Sequence, residues 1–327
     1  MTTMTQPPGQ DQAARLRQMV AASTVEPKPE SRVELKPTKA PQPSAGPAPT
    51  VRPSAPVVAI ASGKGGVGKT NLAVALAIGL ARCGRRTALI DADLGVANAD
   101  VLCGVRTTAH LGQVIAGERT IMDIAEPVNG GFLLVPGGSG IASLADLDDP
   151  QRARLFDALA QLDAKCDAMV VDCGAGVSRS VRRLVHAADL ALIVTTPEPT
   201  AIADAYSLIK CVATEAIEAG QPPHGRIAIV VNQVNDPGEA QRVFARIAGV
   251  CEKFLKFRPA FAGAVCYDRV VPQAVRARKP FFHIDPKSGA TRDALALAAY
   301  VHKGLPNQSA SRLSFFKRLA ARFTRSK

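Results

Sequence analysis

Gly63-Lys64-Gly65-Gly66-Val67-Gly68-Lys69-Thr70 reads as a phosphate-binding loop with an extra lysine at its second position. Before it, Val57-Val58-Ala59-Ile60-Ala61 is a short apolar run of the buried-strand kind. After it, Asn71 to Arg82 carries apolar residues at helical spacing. Strand, glycine-rich turn and helix form the context in which such a loop holds a nucleotide. The glycines let backbone N–H groups turn inward around phosphate oxygens. The helix N-terminus adds partial positive charge at the same point. Lys69 is expected to reach the β- and γ-phosphates, and the Thr70 hydroxyl to bind Mg²⁺. The candidate nucleotide-binding residues here are Gly63, Lys64, Gly65, Gly66, Val67, Gly68, Lys69, Thr70 and Asn71.

Two later strand ends carry carboxylates. Thr87 to Ile90 runs into Asp91-Ala92-Asp93, and Ala168-Met169-Val170-Val171 runs into Asp172. Carboxylates at the C-terminal end of a strand, beside a phosphate site, can hold a Mg²⁺-bound water or aim the attacking one. Asp172 suits the strand-terminal carboxylate that approaches Mg²⁺ directly or through water. A capping Asp opening the next helix would explain one of Asp91 and Asp93, but not both. Lys64 has no task in a simple phosphate loop and needs a separate explanation.

With that extra lysine, the loop resembles the deviant Walker A ATPases of the MinD/ParA class. The resemblance implies ATP and Mg²⁺ as cofactors and a homodimer that forms with ATP. It implies that Lys64 crosses the dimer interface to the partner's phosphates, so that Lys64, Lys69 and Asp93 form the catalytic set. Asp93 would orient the attacking water. Thr70, Asp91 and Asp172 would form the magnesium set. Asn232, at the end of Ile229-Val230-Val231-Asn232, would contact adenine, although an Asn there could also serve as a turn former. Cys266-Tyr267-Asp268 lacks the Pro that relatives often have at that place, so Asp268 is given no base contact.

Thr195-Thr196-Pro197-Glu198-Pro199-Thr200-Ala201-Ile202-Ala203-Asp204-Ala205-Tyr206 follows an apolar run and enters a helix near Thr200. Pro199 suits the first turn of that helix. Residue chemistry alone makes this a strand-to-helix loop on the nucleotide side. By resemblance it is more specific, being similar to the MinD-like flagellar number regulators of the FlhG/FleN group. Asp11-Gln12-Ala13-Ala14-Arg15-Leu16-Arg17 resembles the N-terminal segment of the same group. There the segment binds a flagellar SRP-type GTPase (FlhF-like) and stimulates it, which makes Asp11, Gln12, Ala13, Leu16 and Arg17 candidate partner-binding residues. Ala13, Leu16 and Val20 share a helical face. So short a helix is expected to order on its partner.

The chain divides into residues 1–21, a linker over 22–55, an ATPase domain over 56–303 and a basic tail over 304–327. The linker is rich in Pro, Ala and Ser without aromatics, and is expected to be extended. The N-terminus has no apolar signal-peptide core. Of the net charge of +12, residues 1–56 carry +3 and residues 303–327 carry +7, leaving about +2 for the middle. The basic balance belongs to the tail, and DNA is an unexpected partner for the domain. On a helical wheel Leu313, Phe316, Leu319, Ala320 and Phe323 share one arc, with Phe315 at its edge. Lys317, Arg318, Arg322 and Arg325 lie on the other side. Aromatics opposite Lys and Arg mark a helix lying in an anionic membrane interface. The candidate membrane residues are Leu313, Phe316, Lys317, Arg318, Leu319 and Phe323. A helix docked on the domain and a disordered basic tail are the alternatives.

Strand-like runs recur near 57–61, 87–91, 132–135, 168–172, 189–195, 226–232 and 260–265, with helical patterns between most of them. That alternation predicts an α/β fold, a doubly wound and mostly parallel sheet of the P-loop kind. No apolar run reaches the length of a membrane span. The cysteines are scattered without a CxxC, and read as small core residues in a reducing compartment. The expectation is a cytoplasmic ATPase switch, peripheral on the inner face of the inner membrane, that sets flagellar number or placement. Septum-site and partition ATPases are the alternatives within the class. An adapter that inhibits a flagellar transcriptional activator is the alternative outside it.

Overall fold

A computed structural model describes residues 54–93, 97–138, 147–221 and 227–305, together with Phe315, Arg318 and Leu319. All of them belong to the unit Val51–Lys327. The expected partner segment with Asp11, Gln12, Ala13, Leu16 and Arg17 lies outside the described residues. So does the linker up to residue 53, and so do Leu313, Phe316, Lys317 and Phe323 of the expected membrane set.

In chain order the elements are β1 (Val57–Ser62), α1 (Lys69–Arg82), β2 (Thr87–Ala92), α2 (Ala99–Cys103), α3 (Leu111–Ala116), α4 (Ile121–Ile124), β3 (Glu126–Val128), β4 (Phe132–Val135), α5 (Asp149–Asp163) and β5 (Ala168–Ala175). There follow α6 (Arg179–Ala187), β6 (Leu190–Thr195), α7 (Pro199–Glu218), β7 (Ile227–Val234), α8 (Pro237–Leu255), β8 (Ala260–Cys266), α9 (Val270–Ala277), α10 (Phe281–Ile284) and α11 (Gly289–Gly304). The strands form one sheet in the order β3-β4-β2-β5-β1-β6-β7-β8. Every neighbouring pair is parallel except β3 with β4.

The central strands are apolar up to the polar residues near their C-terminal ends because helices bury them on both sides. One face holds the core shared by α3 to α8, and the other the core around α1, α9, α10 and α11. Successive strands leave β1 in opposite directions across the sheet. Their C-terminal ends therefore open a crevice where the order reverses, which is where α/β sheets bind ligands. β1, β2, β5 and β7 deliver the phosphate loop, Asp91, Asp172 and Asn232 to that edge.

Two residues ahead of position 56 are fastened to the domain. Ser54 Oγ donates to Asp163 Oδ2 at 2.8 Å, and Ala55 N donates to Asp163 Oδ1 at 2.6 Å. Ala55 is buried. A Pro-Ser-Ala-Pro stretch reads as linker, yet one carboxylate on the last residue of α5 fastens its end to the domain.

Candidate nucleotide site

The phosphate loop leaves β1 at Ser62, whose hydroxyl donates to the Lys64 carbonyl at 2.7 Å and folds the first turn. Gly66 and Gly68 have φ of 82° and 87°, a region that side chains avoid. Gly63 is required for another reason: a Cβ there would collide with the Asp204 carbonyl of α7. The helix α1 starts at Lys69 with no acidic residue in its first turn, so its free N–H groups face the loop uncontested.

Asp172 is fully buried within β5, in register with Ile60 of β1 on one side and Asp91 of β2 on the other. Lys69 Nζ lies 3.9 Å from its Oδ1. Neither carboxylate oxygen has a well-formed hydrogen bond. Burial pushes the carboxyl up to about 7, against the opposing pull of Lys69 and the nearby Thr70 hydroxyl. A buried carboxylate left short of partners beside a hydroxyl and a lysine is a donor set suited to a hard cation. Thr70 and Asp172 thus fit Mg²⁺. Bound there, it would supply positive charge to the phosphate oxygens. Among the described residues no cluster of His, Cys, Asp or Glu forms a cage on its own. Mg²⁺ ordinarily takes only one or two carboxylates plus phosphate oxygens.

Asp91 has a task that its sequence context left open. Its Oδ1 accepts from Asp93 N at 3.1 Å, and its Oδ2 accepts from Asn98 N and Ala99 N, both at 3.1 Å. It therefore clips both ends of the loop after β2 and caps α2, which is the helix-capping alternative realised for one of the two carboxylates. Burial raises its carboxyl to about 6. Asp93 sits against β5: a Cβ on Gly174 would lie 3.5 Å from Asp93 Oδ1. Asp91, Asp93 and Asp172 are thus brought together around the loop.

Lys64 is engaged within its own chain. Its Nζ donates to Glu198 Oε1 at 2.7 Å and to Thr200 Oγ1 at 2.8 Å. The lysine holds the Glu198 carboxyl below the usual range. Glu198 and Thr200 flank Pro199 where β6 leads into α7. Both the capture of Lys64 and the close approach of α7 to Gly63 come from this one segment. A carboxylate just ahead of a helix-opening proline was the available signal, but its partner lies 134 residues away.

Asn232 uses its Nδ2 to hold the loop, donating to Val67 O at 2.8 Å. Its Oδ1 is left as an acceptor. Asn232 faces a cavity of about 490 Å³ lined by Gly68, Asn71, Leu72, Val265, Tyr267, Phe281 and neighbouring residues. Asp268, left without a role from sequence, accepts from Val270 N at 3.0 Å and Ala290 N at 3.2 Å, and so fixes the starts of α9 and α11.

Of the expected membrane residues, Arg318 and Leu319 are described, and in this structure they pack on the domain, the docked arrangement that stood as the alternative. Leu319 and its neighbour Phe315 are each 2% exposed and belong to the core shared with α6 and α7. Arg318 Nε donates to Ala187 O at 2.8 Å, at the C-terminal end of α6, and its Nη2 lies 2.9 Å from Asp189 Oδ1. In this state these residues face the protein. An apolar arc is buried equally well by lipid or by a core, and the sequence pattern does not separate the two. Among the described residues no helix is long and apolar enough to cross a membrane.

The family model for the CobQ/CobB/MinD/ParA nucleotide-binding domain matches residues 58–281. The chain is 38% identical over 263 residues to the antiactivator FleN of Pseudomonas aeruginosa, covering 80% of this chain and 91% of that one. It is 32% identical over 270 residues to the flagellum site-determining protein YlxH of Helicobacter pylori, covering 80% and 88%. Among solved structures, the septum site-determining protein MinD of Pyrococcus horikoshii, complexed with Mg-ADP, superposes with a TM-score of 0.61. It is 23% identical, with 78% of this chain and 99% of that one covered, a likeness of fold.

Proposed function

The chain belongs to the CobQ/CobB/MinD/ParA nucleotide-binding family, among its MinD-like flagellar regulators, and is a Mg²⁺-dependent P-loop ATPase; from that premise we propose that it is a membrane-cycling switch that sets flagellar number or placement. One observation carries the switch. Phe315, Arg318 and Leu319 pack against the domain beside α6, and α6 begins only a few residues beyond Asp172. The helix that leaves the metal site is also the helix that holds the tail.

In this reading Lys69 and the loop amides bind the β- and γ-phosphates, and Thr70 and Asp172 hold the metal. Asp93 positions the attacking water, which is a matter of placement and electrostatics more than of covalent chemistry. Lys64 exchanges Glu198 and Thr200 for the phosphates of a second protomer. Its capture in cis keeps the free protomer from presenting an unpaired cation at the dimer face. Dimerisation moves α6, the tail leaves its seat, and two tails enter one anionic surface together. Two weak anchors on one particle bind far more strongly than one. Hydrolysis reverses the sequence.

The N-terminal segment, with Asp11, Gln12, Ala13, Leu16 and Arg17, acts on a flagellar SRP-type GTPase as a tethered ligand at the end of the linker. The relative named as an antiactivator favours a second output, inhibition of a flagellar transcriptional activator in one nucleotide state. Sedimentation with anionic liposomes tests the switch. The full chain is expected in the pellet with Mg-ATP and in the supernatant with Mg-ADP. Equal partition in both would remove nucleotide control of the tail.

A further inference from the structure

The base cavity has one wall that the phosphate and adenine motifs leave unexplained. Tyr267 lines it, yet the residue is 58% exposed. Its backbone is fixed on every side. Tyr267 N donates to Val234 O at 2.8 Å, extending the pairing of β8 with β7. Cys266 N donates to Asp293 Oδ2 at 2.9 Å, and Asp268 is fastened to α9 and α11. The backbone of an aromatic residue is thus fixed beside an apolar cavity, and the residue is largely exposed. Its neighbours Val265, Val271 and Phe281 are apolar. Asn232 can offer polar recognition of a base edge, and of the two aromatic residues that line the cavity Phe281 is buried in the core while Tyr267 is largely exposed.

We propose that Tyr267 is the stacking platform for the base of the bound nucleotide, and so a main determinant of nucleotide affinity. The inference rests on the nucleotide-binding reading above and extends it to a residue of this chain's own. The ring face is the working part, and the hydroxyl is dispensable. Loss of one base–aromatic stack weakens binding by roughly 5- to 150-fold.

Equilibrium binding of Mg-ATP and Mg-ADP to the full chain, to Tyr267→Ala and to Tyr267→Phe tests it. Inorganic tripolyphosphate serves as a competitor that has the phosphates and no base. Tyr267→Ala should lose affinity for both nucleotides in the stated range and keep that for tripolyphosphate. Tyr267→Phe should bind nucleotide as wild type does. A second readout needs no label. The chain has no tryptophan and three tyrosines, so its ultraviolet emission comes from tyrosine. Nucleotide should quench the wild-type emission, and the quench should vanish in Tyr267→Phe while binding persists. Melting temperatures near wild type confirm that the variants fold. Tyr267→Ala binding nucleotide within about twofold of wild type, or an equal loss for tripolyphosphate, overturns the stack. Wild type failing to bind ATP at all would instead overturn the nucleotide reading itself.

Discussion

Asp189→Asn removes the anion that seats the tail without altering the tail. Asp189 lies between α6 and β6. Its Oδ2 accepts from Val57 N at 2.9 Å, and its Oδ1 pairs with Arg318 at 2.9 Å. An asparagine oxygen can keep the bond to Val57 N, but its amide then turns a donor toward a guanidinium that has only donors. A well-formed charged hydrogen bond contributes about 1.5–3 kcal/mol, an upper figure for this ion pair because Nη2 lacks that geometry. The Arg318 side chain is 26% exposed and that of Asp189 9%, so solvent screening lowers the figure to about 1–2 kcal/mol. The docked-to-released ratio should fall by roughly 5- to 30-fold. Because the membrane-facing residues are untouched, the variant should sediment with anionic liposomes in Mg-ADP, where wild type stays in solution. With Mg-ATP the two should differ little, since the tail is already released. A melting temperature lowered by the substitution shows that the ion pair exists in solution. Lowered melting with unchanged liposome partition in ADP would refute the reasoning, for the pair would then be real and irrelevant to release.

Substitutions in the site separate its parts. Lys69→Ala should lose nucleotide affinity. Asp93→Ala should bind ATP and accumulate as dimer by size exclusion, because water placement is lost and phosphate binding is not. Glu198→Gln should form the ATP dimer at lower protein concentration, since Lys64 then has a weaker partner in its own chain; light scattering across a dilution series reads this directly. The pH dependence follows from burial. In the folded state burial pushes the Asp172 carboxyl up to about 7 and that of Asp91 up to about 6, both well above the ordinary aspartate range. Between about pH 4 and 7 the folded state therefore binds more protons than the unfolded one, and nucleotide-free protein should lose stability as pH rises through that window. Mg-ADP should add more to the melting temperature at pH 8 than at pH 6, because the metal needs the carboxylate ionised; a pH-independent increment would take Asp172 out of the metal site.

The sequence placed the phosphate loop and the parallel strands well because each strand is a continuous apolar run bounded by turn residues. β3 escaped it: Glu126-Pro127-Val128 is a short edge strand with a proline inside, and edges are where proline is tolerated. Asp91, Asp93 and Asp172 could be named from strand ends, but not their division of labour. Whether a carboxylate caps backbone amides or stands short of partners depends on loop geometry that no spacing encodes. Glu198 was invisible as the partner of Lys64 because their contact is made by tertiary folding alone. The tail was legible as an amphipathic stripe and illegible as to what covers it.

Hydrogen exchange on the full-length Asp93→Ala variant, in Mg-ATP and in Mg-ADP without membrane, tests the coupling of nucleotide to tail most directly. The regions to follow are residues 313–327 and α6 with its end at Ala187 and Asp189. If nucleotide controls release, both should be protected in ADP and should lose protection together in ATP, as the dimer forms. Identical exchange of the tail in the two states, with the ATP dimer present, would contradict the switch.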